Sequence, residues 1–379
     1  MSRLPIDELA TPGCRHLRPY PPGKPVEEVE RELGHPAIKL ASNENPLGPS
    51  PLALEAIRQC LERASFYPDG GGYYLRRKLA DLHQTSMGQV ILGAGSTDLI
   101  ELAAKTCVAR GDEVVMSESS FYIYETATLS MGGRLVKVPM REDLTCDLEA
   151  MARALTPRTK IVYLANPNNP TGTLFTATQF EKFLSKVPAR TLVVLDEAYC
   201  DYVDTPDYSR SLSEVKAGKN ILVLRTFSKV HGLAGLRIGY GVGCEELIEV
   251  LNRVRSPFNA SSLAQTAAFA ALDDDEHVAR SVECNRREMK FLMRELAALG
   301  VSYTPSQANF LLIDTGRDCD HDFMRLLHEG VIVRPMKLYG FPTRLRVTVG
   351  THEDNVTFLE ALARVGSSAD QAPVASGKL

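Results

Sequence analysis

Six short β-branched runs, at 89–92, 113–116, 135–138, 160–164, 192–195 and 221–224, alternate along the chain with stretches of helical length. This alternation limits the fold more than any other feature. Apolar runs of four or five residues without polar alternation suit strands buried on both faces, as in a parallel sheet. Successive parallel strands must be joined by crossovers of a dozen or more residues, usually helical. The helix candidates at 97–109, 147–155 and 176–187 have lengths that suit right-handed crossovers. A further run at 238–242 is expected to close the sheet. The predicted fold class is α/β, with a mostly parallel seven-stranded sheet covered by helices on both faces.

Proline and polar residues dominate positions 1–45, as around Tyr20, so this part reads as an extended N-terminal arm that needs a surface to pack on. Residues 46–259 carry the sheet as a large domain. From about 260 the texture changes to long helices, 262–272 and 277–299, followed by strand runs at 310–313, 331–333 and 345–349. That pattern predicts a smaller α+β domain over 260–365. The tail, 366–379, lacks apolar periodicity and is expected to be mobile.

The net charge of −4 comes with scattered lysines and arginines, which gives no footprint for nucleic acid or anionic lipid. No apolar run approaches the roughly 18 residues that a membrane span needs. Small molecules are the expected partners. Eight cysteines without a C-x-x-C pair or a signal peptide read as reduced, buried thiols of a cytoplasmic protein. No metal site is assigned.

In open α/β sheets ligands bind beyond the carboxyl ends of the strands, so the residues that follow each run matter most. After 89–92 comes Gly93-Ala-Gly95-Ser96-Thr97-Asp98, a glycine turn opening a helix whose free N–H groups suit a phosphate. Asp98 stands where the dinucleotide fingerprint has its third glycine, which argues against a nicotinamide enzyme. Ser96 and Thr97 also fit plain helix caps. After 160–164 a turn rich in Asn and Pro carries Asn169, after 192–195 come Asp196 and Tyr199, and after 221–224 come Thr226, Ser228 and Lys229, with Arg237 beyond a glycine-rich turn. Most lysines are solvated, and a turn of Asn, Pro and Gly is by itself ordinary. Yet an amide, a carboxylate and a lysine on three neighbouring strands, with phosphate donors on a fourth, match an aldehyde cofactor that bears a phosphate and a pyridine ring.

Taken jointly, the residues 166–172, Asp196 to Tyr199, Thr226 to Lys229 with Arg237 eight residues on, and 344–350 resemble the motifs of fold-type I pyridoxal-phosphate aminotransferases. Within these the chain is similar to histidinol-phosphate aminotransferases over about 20–362, including 40–48, 67–69 and 330–335. The resemblance implies pyridoxal 5'-phosphate as cofactor, with Lys229 as its Schiff-base lysine and proton shuttle. Asp196 then pairs with the pyridinium nitrogen, Asn169 and Tyr199 donate to the phenolic oxygen, and Phe121 stacks on the ring. The phosphate cup it implies is the backbone of Ser96 and Thr97, the hydroxyls of Thr226 and Ser228, Arg237, and Tyr67 from the second subunit of a homodimer with shared sites. For the substrate, the resemblance implies that Arg346 clamps the α-carboxylate and that Arg334 and Tyr20 meet the far end, with Asn169 a further substrate-binding residue.

On this resemblance the chain exchanges an amino group by a ping-pong route between histidinol phosphate and 2-oxoglutarate, giving imidazole acetol phosphate and glutamate in histidine biosynthesis. An aromatic amino acid aminotransferase, a phospho-amino-acid decarboxylase of the same fold, or a regulator that merely binds the cofactor are its rivals. Relatives usually carry Gly-Asn-Gly-Ser-Asp-Glu where this chain has Ala94 and Thr97, so side-chain contacts at the cup differ here.

Overall fold

Thirteen strands are laid down between Ile38 and Thr348 in the protein, seen here as a computed structural model that describes residues 6–367 apart from 16, 18, 20–22 and 210. After β1 (Ile38–Lys39), the strands β2 (Val90–Gly93), β3 (Glu113–Ser117), β4 (Arg134–Val138), β5 (Thr159–Ala165), β6 (Leu192–Asp196), β7 (Ile221–Thr226) and β8 (Gly239–Val242) form one sheet of order β2-β8-β7-β6-β5-β3-β4. Its interior strands feed two cores at once. Val162 and Leu164 of β5, Val193 and Leu195 of β6, and Ile221 and Val223 of β7 enter one core. Their alternate neighbours, Ile161, Tyr163, Leu192, Val194, Leu222 and Leu224, enter the other. This is the period-2 geometry of a strand with helices on both sides, and it accounts for runs that are apolar throughout.

The mostly parallel seven-stranded sheet is as expected, but the strand at 239–242 does not close it. It lies between β2 and β7 and is antiparallel to both, leaving β2 and β4 at the edges. Between Thr226 and Gly239 the chain makes only one short 3-10 turn, so there is no helical crossover to bring it back parallel.

The strands β9 (Ser302–Thr304), β10 (Phe310–Asp314), β12 (Arg334–Pro335) and β13 (Arg344–Thr348) form a second, antiparallel sheet of order β12-β13-β10-β9. It shares a core with Leu292 and Leu296 of the helix Asp275–Ala298 and Phe358 of the helix His352–Ser367. A third pairing joins β1 to β11 (Val331–Ile332) in parallel.

Three expectations about the chain's divisions need correction. The change of texture at 260 is not where packing divides, because the helix Ser262–Ala271 buries Ala264, Ala267 and Ala268 in the core of the large sheet with Ala53 and Leu79. Small side chains let it lie close against the helix Pro51–Cys60. The segment before residue 46 is not simply extended. It holds the helix Val26–Leu33, and Val29 and Ala41 pack on Leu327 and Ile332. Gly366 and Ser367, read as tail, complete the last helix, and the tail from 368 onward lies outside the described residues. Of the eight cysteines, all free thiols, only Cys146, Cys284 and Cys319 are buried. No helix among the described residues is long and apolar enough to cross a membrane.

Candidate active site

The carboxyl ends of β2, β5, β6 and β7 open onto one cavity of about 370 Å³, which is within the range of small-molecule pockets. Its wall includes Ser96, Thr97, Phe121, Asn169, Asp196, Tyr199, Thr226, Ser228, Lys229, Arg237 and Arg346, so eleven of the fourteen residues singled out in the sequence meet here. Ten of them do so because parallel strands bring their carboxyl ends to one edge, and Arg346, 250 residues beyond Ser96 in the chain, reaches the cavity from β13 of the second sheet.

At the floor, Asp196 is the last residue of β6 and is buried. Its Oδ2 accepts a hydrogen bond from Tyr124 Oη at 2.9 Å and its Oδ1 accepts one from the Ala198 N–H at 3.1 Å. Burial pushes the Asp196 carboxyl up to about 6, while these bonds and the Lys229 charge pull the other way. Such an acid calls for a cationic partner in the cavity. Lys229 Nζ donates to the Ser42 carbonyl at 3.3 Å and lies 5.6 Å from the centre of the Tyr199 ring. Burial, followed by the charge of Arg346, holds its amine down to about 8. The free amine is therefore far more populated near neutral pH than on an exposed lysine.

Above β2, Gly95 caps the helix Ser96–Cys107 with no side-chain hydrogen bond, so Ser96 and Thr97 open the helix instead of capping it. Ser96 and Thr97 of its first turn line the cavity, at the positive end of the helix dipole where backbone N–H groups lack helical partners. Gly95 sits at φ +81°, and a Cβ there would overlap Arg237 Nη2, so glycine is required for this close approach. Thr226 Oγ1 donates to Ser228 Oγ at 3.0 Å, and Arg237 Nη1 reaches Ser228 Oγ at 3.4 Å. Arg237 Nη2 also reaches the Ala94 carbonyl at 3.5 Å. Hydroxyls, an arginine and helix N–H groups thus surround one end of the cavity, a donor set for a phosphate.

Across the cavity, Arg346 of β13 is buried; its Nη1 donates to Asn169 Oδ1 at 2.6 Å and its Nη2 to the Ala41 carbonyl at 2.7 Å. Its Nε is buried with no hydrogen-bond partner among the described residues. Asn168, by contrast, holds the turn together through the Ser119 carbonyl and Thr171 Oγ1, both at 2.9 Å, which leaves Asn169 as the amide that faces the cavity.

Two expected residues do not reach this wall. Arg334 is buried directly opposite Arg346 in the β12–β13 pairing, next to the cavity and not in its lining. Tyr67 is 84% exposed, stacks on Phe258 at 4.8 Å and lines a separate cavity with Phe66 and Tyr74, so within one chain it cannot contribute to the cup. Tyr20 lies outside the described residues. The sequence reading had missed Tyr124, Ser42, Asn43 and Glu44, all of which line the cavity. Tyr124 lies three residues after Phe121, the residue that caps its helix, and the two rings meet edge-on at 5.7 Å.

The family described as aminotransferase class I and II matches residues 35–362 of this chain. The chain is 49% identical to a histidinol-phosphate aminotransferase of Moorella thermoacetica, over 93% of each protein. It is 50% identical to histidinol-phosphate aminotransferase 2 of Pseudomonas aeruginosa, over 94% of this chain and 97% of the relative. Among solved structures, the histidinol-phosphate aminotransferase of Sinorhizobium meliloti in complex with pyridoxal-5'-phosphate superposes with a TM-score of 0.86 at 30% identity, covering 94% of this chain and 97% of that one.

Proposed function

The chain belongs to the class I and II aminotransferases, and from that premise we propose that it is a pyridoxal-phosphate enzyme exchanging the amino group of histidinol phosphate with 2-oxoglutarate. The observation that carries this reading is the meeting, in one cavity, of an amine lowered by burial, a buried acid and an uncapped helix N-terminus. The choice of substrate is supported by the near-complete overlap with histidinol-phosphate aminotransferases at 49–50% identity.

The residues present fit the cofactor. Asp196 would hold its ring nitrogen, Asn169 and Tyr199 its phenolic oxygen and Phe121 its ring face, while Ser96, Thr97, Thr226, Ser228 and Arg237 would hold its phosphate. When bound, pyridoxal phosphate supplies an aldehyde that condenses with amines and a ring that accepts the electrons released at the substrate carbon. Lys229 would be the amine that holds the cofactor's aldehyde carbon, and its Nζ would move the proton at the amino-bearing carbon of the substrate. Asp196 keeps the ring nitrogen protonated, with Tyr124 fixing its carboxylate. Arg346 orients the carboxylate of glutamate or 2-oxoglutarate, exchanging its bond to Asn169 for a bidentate one. Histidinol phosphate has a phosphate and no carboxylate, and the buried arginines 334 and 346, facing the same side of β12 and β13, supply positive charge for it.

The working protein in this reading is a cytoplasmic homodimer. The exposed aromatics Phe66, Tyr67 and Tyr74 form a patch suited to a second copy, with Tyr67 completing the partner's phosphate cup.

The test is a pair of half-reactions. Purified yellow holoenzyme mixed with histidinol phosphate loses its colour, and 2-oxoglutarate restores it with release of glutamate. Bleaching by phenylalanine or tyrosine but not by histidinol phosphate would overturn the substrate assignment. Release of carbon dioxide without need of an oxo acid would overturn the reaction type.

A further inference from the structure

Three consecutive residues touch three separate site groups. The Ala41 carbonyl accepts Arg346 Nη2 at 2.7 Å, the Ser42 carbonyl accepts Lys229 Nζ at 3.3 Å, and Asn43 Nδ2 donates to Tyr199 Oη at 2.9 Å. The stretch belongs to a motif, 40–48, to which no role attaches in the reading above.

The hydrogen bonds around Asn43 fix which way its amide faces. Its backbone N–H donates to Thr348 Oγ1 at 2.9 Å, and the Thr348 hydroxyl donates to Asn43 Oδ1 at 3.2 Å. Asn309 Nδ2 holds the Asn43 carbonyl at 3.1 Å. With Oδ1 committed as an acceptor, Nδ2 faces the phenol as a donor, and the Tyr199 proton must point away from Asn43. Asn43 also sits at φ +54°, a left-handed conformation that Asn, Asp and Gly tolerate and most other residues resist.

We infer that Asn43 is a positioning residue that aims the Tyr199 hydroxyl proton at the bound cofactor and strengthens it as a donor. A donor on the phenol oxygen polarises the O–H, so its onward hydrogen bond is stronger. A hydrogen bond given to the ionised phenolic oxygen of the cofactor favours the deprotonated form of the lysine linkage, so losing it raises the pH at which the bound cofactor changes colour. The charged and titratable groups that share this region are Asp196 from β6, Lys229 and Arg237 after β7, Glu44 beside Asn43, Tyr124, Tyr202, and Arg346, which faces Phe310, the ring that packs edge-on against Tyr199. None of them is altered in the variants below. The inference rests on Tyr199 being a donor to the cofactor, and the experiment separates the two.

The pH midpoint of the colour change is measured in holoenzyme for wild type, Asn43→Gly, Asn43→Asp, Tyr199→Phe and Asn43→Gly with Tyr199→Phe. Gly and Asp keep the backbone conformation, and circular dichroism with thermal melting checks the fold. Asn43→Gly is expected to raise the midpoint by about one pH unit, a tenfold change in proton affinity. Asn43→Asp, which puts an acceptor where the donor was and turns the tyrosine proton back, is expected to raise it at least as much. In the Tyr199→Phe background, Asn43→Gly adds nothing. If Tyr199→Phe raises the midpoint and folded Asn43 variants leave it unchanged, the role of Asn43 is overturned and that of Tyr199 stands. If Asn43→Gly shifts it equally without the tyrosine hydroxyl, Asn43 acts as scaffold and the inference fails. If Tyr199→Phe itself has no effect, the reading of Tyr199 fails and this one with it.

Discussion

Tyr124 and Asp196 are joined by a 2.9 Å hydrogen bond from the phenol to carboxylate Oδ2, with both side chains buried. Tyr124 is itself clamped by Tyr163, whose ring lies parallel to it at 4.7 Å. The acid is thus aimed by a side chain that has little freedom to turn, and among the described residues it retains the Ala198 N–H as its hydrogen-bond donor if the phenol is removed.

Tyr124→Phe is therefore expected to push the Asp196 carboxyl further above 6 and to loosen its hold on the ring nitrogen. The loss of one hydrogen bond to a charged group corresponds to about a tenfold fall in kcat/KM, or somewhat more, with cofactor still bound. Steady-state rates with histidinol phosphate measure it; an unchanged rate would show that Tyr124 is packing only.

Replacing Lys229 by Met is expected to remove the covalent attachment and to lower turnover by about 10²–10⁴-fold or more, as for loss of a catalytic base. Its effect on the cofactor-free protein has a definite pH dependence. The folded amine, at about 8, lies below its ordinary 10.5, so holding it charged costs stability. This cost is complete below about pH 8 and is relieved as pH rises toward 10.5. Cofactor-free Lys229→Met should melt above wild type at pH 7, and the gap should close over that alkaline interval. A gap that does not change with pH contradicts the lowered amine.

Gly95→Ala tests the phosphate cup. The new methyl group meets Arg237 Nη2 and forces an L residue to φ +81°. The dissociation constant of the cofactor, followed by fluorescence, should rise about tenfold or more, with the apo-protein fold retained. Wild-type affinity in this variant would place the phosphate elsewhere.

Arg346→Lys keeps the charge and loses the planar fork that reaches both Asn169 and Ala41. The KM for 2-oxoglutarate should rise by about 10–100-fold while the bound cofactor keeps its absorbance. An equal loss of cofactor would mean that the arginine holds the loop and not the substrate.

Shared sites predict complementation. Tyr67→Ala and Lys229→Met chains, each weak alone, should recover up to about a quarter of wild-type activity when unfolded and reassembled together, because one site of a mixed dimer is then intact. No recovery, with mixed dimers present by mass, argues for self-contained sites.

Much of this could be read from the chain itself. Period-2 burial on both faces wrote β5, β6 and β7 as unbroken apolar runs, and a parallel sheet puts whatever follows such runs at one edge. Asp196, Lys229 and Asn169 were visible for that reason. What only the folded molecule decided are relations between residues far apart in sequence. The bond from Asn43 to Tyr199 spans 156 positions, that from Arg346 to Asn169 spans 177, and β8 slots antiparallel between β2 and β7. Periodicity encodes which face of an element is buried, whereas partners across elements are chosen by packing and by the need to satisfy buried polar atoms, which no local pattern carries.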